Sequence, residues 1–298
     1  MEKIIPYLWF DKEALEAVKF YTSIFSNSSI NDISYRGEAG KELHWMDAWT
    51  VLGVDFKLEG QTFVAFNWGP VFKFTPAISF FVRCETIEEV DNLYNKLSVW
   101  WTVLMVLDKY PFSERYAWIS DKYGISWQLF LGDTKKQKIT PCLMFVGNQA
   151  WNAEKAIQMY TSIFPDSKIW DIYRYWANNK PEIEWTVMHA IFSLSGHDFI
   201  AMDSNLEHNF TFNEAISLSV DCKDQKEIDY YWEKISAEPE SESCWWLKDK
   251  FGVSWQIVPS ELAKMMKDKD SKKSDRVMEA FLNMKKLDLE KLRKAYNG

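Results

Sequence analysis

The chain has 298 residues, 47% of them hydrophobic and 26% charged, and 35 Lys+Arg against 43 Asp+Glu give it a formal charge of -8, the composition of a folded protein of roughly two ordinary domains. Lacking any block of about five like basic residues, it has no electrostatic footprint for a polyanion, so nucleic acid is not expected as a partner. No stretch reaches the ~18 uninterrupted apolar residues of a membrane span, and the N-terminal acids Glu2, Asp11, Glu13 and Glu16 speak against a signal or transit peptide. The four cysteines, Cys84, Cys142, Cys222 and Cys244, lack the spacing of a zinc site or a disulfide scaffold, so a reducing cytoplasm is the expected location.

Residues 4–10 form a short apolar run, a strand, and residues 12–25 place Ala14, Leu15, Val18, Tyr21, Ile24 and Phe25 at helical spacing behind Asp11 as N-cap. Strands follow at 29–35, 50–58 and 61–66, the last two joined at Glu59-Gly60, a hairpin signal that needs positive φ. A second cycle gives a strand at 77–82, a helix at 87–97 behind the Glu85-Thr86 cap, and strands at 102–107, 116–120 and 126–131. Each cycle is a βαβββ unit.

The chain then repeats itself. Phe20-Tyr-Thr-Ser-Ile-Phe25 returns as Met159-Tyr-Thr-Ser-Ile-Phe164, and Ala77-Ile-Ser-Phe-Phe-Val-Arg-Cys84 as Ala215-Ile-Ser-Leu-Ser-Val-Asp-Cys222. Trp118-Ile-Ser-Asp-Lys-Tyr-Gly-Ile-Ser-Trp-Gln128 returns as Trp246-Leu-Lys-Asp-Lys-Phe-Gly-Val-Ser-Trp-Gln256. This last block comes about ten residues early, so the second copy loses or severely shortens its counterpart of the 102–107 strand. The expected organisation is α+β: four βαβββ units in two fused domains, 1–132 and 140–259, a polar linker at 133–139, and a helical extension at 260–298. In the extension, helices are expected at 261–267, 275–286 and 287–296. Val277, Met278, Phe281, Leu282, Met284, Leu287, Leu289 and Leu292 mark one docked face, and the basic stretch 267–273 reads as a solvated connection.

The opening Ile-Ile-Pro-Tyr-Leu-Trp-Phe-Asp, the Phe-Tyr-Thr-Ser-Ile-Phe helix, Phe72-Lys-Phe-Thr-Pro-Ala-Ile-Ser-Phe-Phe-Val, Leu107-Asp-Lys-Tyr-Pro-Phe-Ser-Glu-Arg-Tyr and Asp-Lys-Tyr-Gly-Ile-Ser-Trp-Gln together resemble the PhnB-like branch of the vicinal oxygen chelate superfamily, which includes glyoxalase I, extradiol dioxygenases and bleomycin and fosfomycin resistance proteins. The resemblance covers nearly the whole chain and is to the tandem form, in which two fused copies stand where single-copy relatives form homodimers. It implies two βαβββ units curled into an open eight-stranded cup for a small ligand, a pseudo-dimer within one chain, and hence a monomer, with homodimerisation through exposed edge strands left open. In metal-dependent relatives His, Glu or Gln side chains on first and last strands converge on a divalent ion. The matching positions here offer Tyr7 or Leu8, Cys142 or Leu143, Gln128 and Gln256, a weak set for a first-row metal; no metal or other cofactor is expected. The sequence departs from the family where Trp68, Trp100, Trp101 and Trp245 stand at positions usually small or glycine, and such a change in a hairpin gives up access to positive φ. Drift, loops rebuilt around an aromatic ligand, and laboratory redesign of the pocket all stay open as origins.

With 16 Trp in the chain, Trp45, Trp49, Trp68, Trp100 and Trp101 are the candidate aromatic binding wall, set against the reading that they fill a core. Trp118, Trp127, Trp246 and Trp255 recur in both copies, which argues for packing. Cys142 and His189, on strands of one copy, are a candidate thiolate nucleophile and its base; a buried hydrophobe and a core histidine are the bland alternative. His208 with Asp203 is a candidate general base, against a solvated loop histidine. Asp55 is a candidate buried base if its side of the strand faces the cup, and half of a solvent-facing pattern if not. His44 lies in a loop, a candidate lid over the cup; His197 marks a hairpin tip without a chemical role. The expected function is a metal-free binder of a small apolar or aromatic molecule. The alternatives are a metal-independent hydrolase or proton-transfer catalyst, and a structural protein with plugged cups.

Overall fold

The computed structural model describes residues 2–36, 49–99, 102–133, 137–177, 180–268 and 270–298. The first cycle comprises β1 (Ile4–Phe10), α1 (Ala14–Ile24), β2 (Ser29–Tyr35), β3 (Val51–Leu58) and β4 (Gln61–Asn67). The second comprises β5 (Ile78–Cys84), α2 (Ile87–Leu97), β6 (Thr102–Tyr110), β7 (Ser113–Ser120) and β8 (Ser126–Leu131). The third comprises β9 (Ile139–Phe145), α3 (Ala153–Ile163), β10 (Lys168–Arg174), β11 (Val187–Leu194) and β12 (His197–Asp203). The fourth comprises β13 (Ile216–Cys222), α4 (Gln225–Ile235), β14 (Trp246–Lys248) and β15 (Ser254–Pro259).

Local chemistry fixes the joints. Glu59 and Gly60 take φ of 49° and 82°, and Ser195 and Gly196 take 49° and 83°, the paired positive values of a two-residue hairpin turn that follows strand twist. Thr86 caps α2 by accepting from the Glu89 amide, and Asp224 caps α4 by accepting from the Glu227 amide, each worth about 1 kcal/mol. Helix α1 starts differently from the expectation at Asp11: the Ala14 amide donates to Asn67 Oδ1 at 2.9 Å, so a side chain ending β4 meets an orphan donor of the first turn.

The strands form two sheets, one in the order β14-β15-β13-β1-β4-β3-β2 and one in the order β10-β11-β12-β9-β5-β8-β7-β6. Each belongs to one compact unit: the first holds Met1–Ser23, Asn27–Phe72 and Glu214–Gly298, the second Ile24–Ser26 and Lys73–Asn213. The expected boundaries 1–132 and 140–259 therefore mark repeats rather than compact units. Pairing is the reason: β1 runs antiparallel to β13 with Ile4 opposite Val220, and β5 antiparallel to β9 with Ile78 opposite Leu143, so each sheet takes one cycle from each copy. One sheet has the expected eight strands. The other has seven, because the shortened fourth cycle has only the three-residue β14 where the second has the nine-residue β6 and the eight-residue β7.

The extension folds as α5 (Leu262–Met266), α6 (Ser271–Leu282) and α7 (Leu289–Asn297) within the first unit. Leu262, Met265, Val277, Phe281, Leu287 and Leu292 form its buried core, with Trp245 and Val258 packed against it. The amides of Cys244 and Trp245 donate to the carbonyls of Met284 and Lys285 at 3.0 and 2.9 Å, so tail backbone bonds along the edge where the missing strand would pair. Of the basic stretch 267–273, Lys267, Asp270, Ser271 and Lys272 are exposed, yet the stretch is also structured: Asp270 accepts from the Lys272 amide and starts α6 at Ser271, and Lys267 pairs with two carboxylates. Among the described residues no helix is long and apolar enough to cross a membrane.

Candidate functional site

In the second unit, strand alternation turns one face of the sheet into a lined surface. Phe81, Tyr116, Cys142 and Ile200 are buried at its centre, with Met105, Tyr110, Trp118, Phe130, Ile191 and Met202 half-buried around them. A polar clamp crosses this floor: Gln128 accepts from the Tyr116 hydroxyl at 2.6 Å and donates to Ser79 Oγ at 2.8 Å. Burial pushes the Cys142 thiol up to about 12, against hydrogen bonds with Ser79 and Gln128 that favour the thiolate. His189 reaches the same surface with its ring 6.0 Å from Phe81. Burial first, then the charge of Arg83, pull its imidazole down to about 4, against the pull of Asp171.

In the first unit the corresponding face carries polar groups at Tyr7, Asp55 and Ser219 beside an aromatic cluster. Tyr7 lies half-buried there, bonded to Ser219, and its hydroxyl is pushed up by desolvation and then by the charge of Asp55. Lys267 Nζ lies 2.5 Å from Asp32 and 2.6 Å from Asp55. Burial opposes the ammonium, but its bonds to Asp32 and Asp55 raise its pKa above the ordinary lysine value. Gln256 accepts from Trp245 Nε1 at 2.9 Å and donates to Ser217 Oγ at 2.7 Å, the same clamp with tryptophan in the place of tyrosine. Trp9, Phe66, Phe72 and Trp246 form an aromatic cluster with ring centroids 4.9–6.0 Å apart.

The candidate catalytic pairs are not brought together. Register sets Cys142 beside Ile200 and Ile200 beside Ile191, so His189, two residues along from Ile191, stands two strands from Cys142, roughly 10 Å or more between backbones. A thiol held up and an imidazole held neutral are also the reverse of an activated pair. Asp203 spends its carboxylate on the Ala153 and Val187 amides, at 3.0 Å each; burial leads its upward pKa shift. His208 Nε2 pairs instead with Ser204 Oγ at 3.0 Å. Asp55 lies on the face opposite the buried Val54, Phe56 and Leu58 and is ion-paired. Of the candidate wall, Trp49 is 78% exposed and Trp68 lies 5.2 Å from the Arg36 guanidinium. Trp45, Trp100 and Trp101, with His44, fall outside the described residues.

Two residues went unsingled in the sequence. Asp121 accepts from the Tyr123 and Ile125 amides and from Trp127 Nε1, and Asp249 accepts from the Phe251 and Val253 amides and from Trp255 Nε1. Their signal was present, an Asp-Lys-aromatic-Gly run repeated in both copies. Lys267 had no such signal, being a tail residue whose partners lie more than 200 positions away.

A divalent ion does not fit the residues present. At the positions where metal-dependent relatives place ligands, the Gln128 oxygen already accepts from the Tyr116 hydroxyl and the Cys142 thiol is held protonated. Among the described residues no group of three or more His, Cys, Asp or Glu is arranged to hold a metal.

A family model described as 3-demethylubiquinone-9 3-methyltransferase matches the chain twice, at residues 2–130 and 137–258. No curated protein matches it. Among solved structures, a putative 3-demethylubiquinone-9 3-methyltransferase, PhnB protein, from Bacillus cereus is 43% identical over 44% of this chain and 100% of its own, with a TM-score of 0.41. A protein from Staphylococcus aureus is 32% identical over 45% of this chain and 98% of its own, with a TM-score of 0.18. Glyoxalase I from Zea mays is 9% identical over 85% of this chain and 90% of its own, with a TM-score of 0.51, a likeness of fold alone.

Proposed function

Because the chain belongs to the PhnB-like family described as 3-demethylubiquinone-9 3-methyltransferase, in the vicinal oxygen chelate superfamily and in tandem form, we propose that it is a metal-free binder of a small apolar or aromatic molecule, and that the lined face of the second unit is the site. The observation that carries this reading is the ring of six half-buried apolar side chains around the Phe81, Tyr116, Cys142 and Ile200 floor. It is an apolar surface with a few fixed polar groups, the usual character of a small-molecule site. The Gln128 carboxamide and the Tyr116 hydroxyl supply orientation. Methyl transfer is not carried over from the family's description: β1 leads into Asp11-Lys12-Glu13 and α1, without the glycine-rich loop of a dinucleotide-type site. The protein acts in the cytoplasm as a monomer whose copies stand as an internal pseudo-dimer.

The first unit supports a different role. Its face holds Lys267 from the tail, paired with Asp32 and Asp55, so the chain's own tail occupies it and it reads as a plugged cup. The test is titration with naphthalene-type probes followed by tryptophan fluorescence and calorimetry. Saturable one-to-one binding is expected, weakened about tenfold or more by Phe81→Ala and unchanged by chelators. Binding that requires a stoichiometric divalent ion, or that survives Phe81→Ala intact, would overturn the proposal.

A further inference from the structure

Two sets stand apart among the described tryptophans. Trp127 and Trp255 are buried and donate Nε1 to Asp121 and Asp249 at 2.8 and 2.9 Å, and Trp9 and Trp118 donate to Gly69 O and Ser126 Oγ at 2.8 and 2.7 Å. Trp49, Trp151, Trp185 and Trp245 instead sit at φ of 67°, 69°, 72° and 69°. In this left-handed region a Cβ crowds the following carbonyl oxygen, while glycine enters freely; a bulky residue there is a genuine outlier. Burial does not offset the strain at three of them, since Trp49, Trp151 and Trp185 are 78%, 50% and 70% exposed.

Two of the four share one geometry in different units. Trp49 and Trp185 each precede Thr-Val at the entrance to β3 and β11. The Trp49 amide donates to Arg36 O and the Arg36 amide to Thr50 O, both at 2.9 Å. The Trp185 amide donates to Tyr175 O at 2.9 Å and the Tyr175 amide to Thr186 O at 3.0 Å. Two residues thus oppose one, with the first in the left-handed region, which is the β-bulge whose first residue is glycine. Composition points the same way: 11 Gly in 298 residues is about half the ordinary ~7% share, beside an excess of 16 Trp.

We propose that residues 49, 151, 185 and 245 are glycine in the protein as its source organism makes it, read there from a codon that means tryptophan in another genetic code. The four indoles are then no part of the ligand surface, which falls to Phe81, Tyr116 and Trp118. That consequence rests on the function proposed above; the identity of the four residues does not. Trp245 is the stringent case, since its indole does find partners in Gln256 and Phe281.

Peptide mass spectrometry of the protein purified from its source organism tests this directly. Peptides spanning the four positions are expected at the glycine mass and those with Trp127 and Trp255 at the tryptophan mass; a tryptophan mass at any of the four overturns the proposal. In the tryptophan-bearing chain, Trp49→Gly, Trp151→Gly, Trp185→Gly and Trp245→Gly together are expected to raise the thermal midpoint by roughly 5–10 °C, whereas the control Trp127→Gly lowers it. A lower midpoint in the fourfold variant overturns the assignment of these turns to glycine. A higher midpoint with lost probe binding overturns only the exclusion of these indoles from the ligand surface.

Discussion

The two units are built on one template and differ in what that template carries. At the fourth position of the first strand the first unit has Tyr7 and the second Cys142. At the fifth position of the third strand they have Asp55 and Ile191, and at the fourth position of the strand that pairs with the other copy, Ser219 and Phe81. Backbone and register stay the same while one face becomes polar and the other apolar. The polar face needs a cation and receives Lys267 from the tail; the apolar face has no such demand, and it is the one proposed above to take a ligand. The loss of one strand belongs to the same divergence, since it opens the edge along which Met284 and Lys285 bond.

The sharpest way to break this comparison is to unseat the tail. Phe281 is 1% exposed, stacked on Trp245, and central to the tail core. Phe281→Ala is expected to cost the first unit about 3–5 kcal/mol, read by chemical denaturation, with probe binding by the second unit unchanged. Loss of binding together with stability would show that the two faces are not independent. Next come the features the units share. Asp121→Ala and Asp249→Ala each leave two amides and one indole N–H without their acceptor, at about 2–4 kcal/mol each. Similar losses at both positions are expected; a cost at only one would mean that the repeated motif has diverged in role as the faces have.

Sequence patterning resolved what depends on neighbours in the chain. Alternation located the strands, Thr86 announced its helix, and Glu59-Gly60 its turn, because each is decided within a few residues. Repetition even exposed the lost strand. It did not show that β1 pairs with β13 and β5 with β9, since register between repeats is settled by packing across more than fifty residues, and identical cycles pair equally well in principle with either neighbour. Cys142 and His189 looked like a pair for the same reason: both do face one surface, but alternation says nothing of how many strands separate them. The wall of tryptophans was inferred from composition, and at Trp49 the backbone angle of 67° tells a different story.

A smaller difference between the units is set by pH. Gly53 holds the place in β3 that His189 holds in β11, so this contribution belongs to the second unit alone. With its folded pKa near 4 against an ordinary 6.5, His189 stays neutral in the fold while the unfolded chain takes up a proton. The contribution of His189 is therefore flat above pH 6.5 and is lost as the pH drops toward 4, by up to about 3 kcal/mol in all. His189→Phe is expected to remove that share of the slope in urea titrations between these limits, leaving the part due to His208, whose pKa is also lowered by burial. An unchanged slope would mean that the imidazole is charged within the fold.

The smallest effect concerns the contact that looks most deliberate. Lys267 bridges Asp32 and Asp55, but all three side chains are more than a third exposed, and such pairs contribute only about 0–1 kcal/mol, less at high salt. Lys267→Met should therefore barely move the stability of the first unit, and the residual difference should vanish in about 1 M salt, where screening acts within a few ångströms. The tail would then be held by its apolar core, with the ion pair fixing where it lands on the polar face. A double-mutant cycle with Asp55→Asn decides the point. A coupling above about 2 kcal/mol would exceed what exposed charges supply and would make the ammonium itself the latch, so that the polar face had diverged around its own cation rather than merely tolerating it.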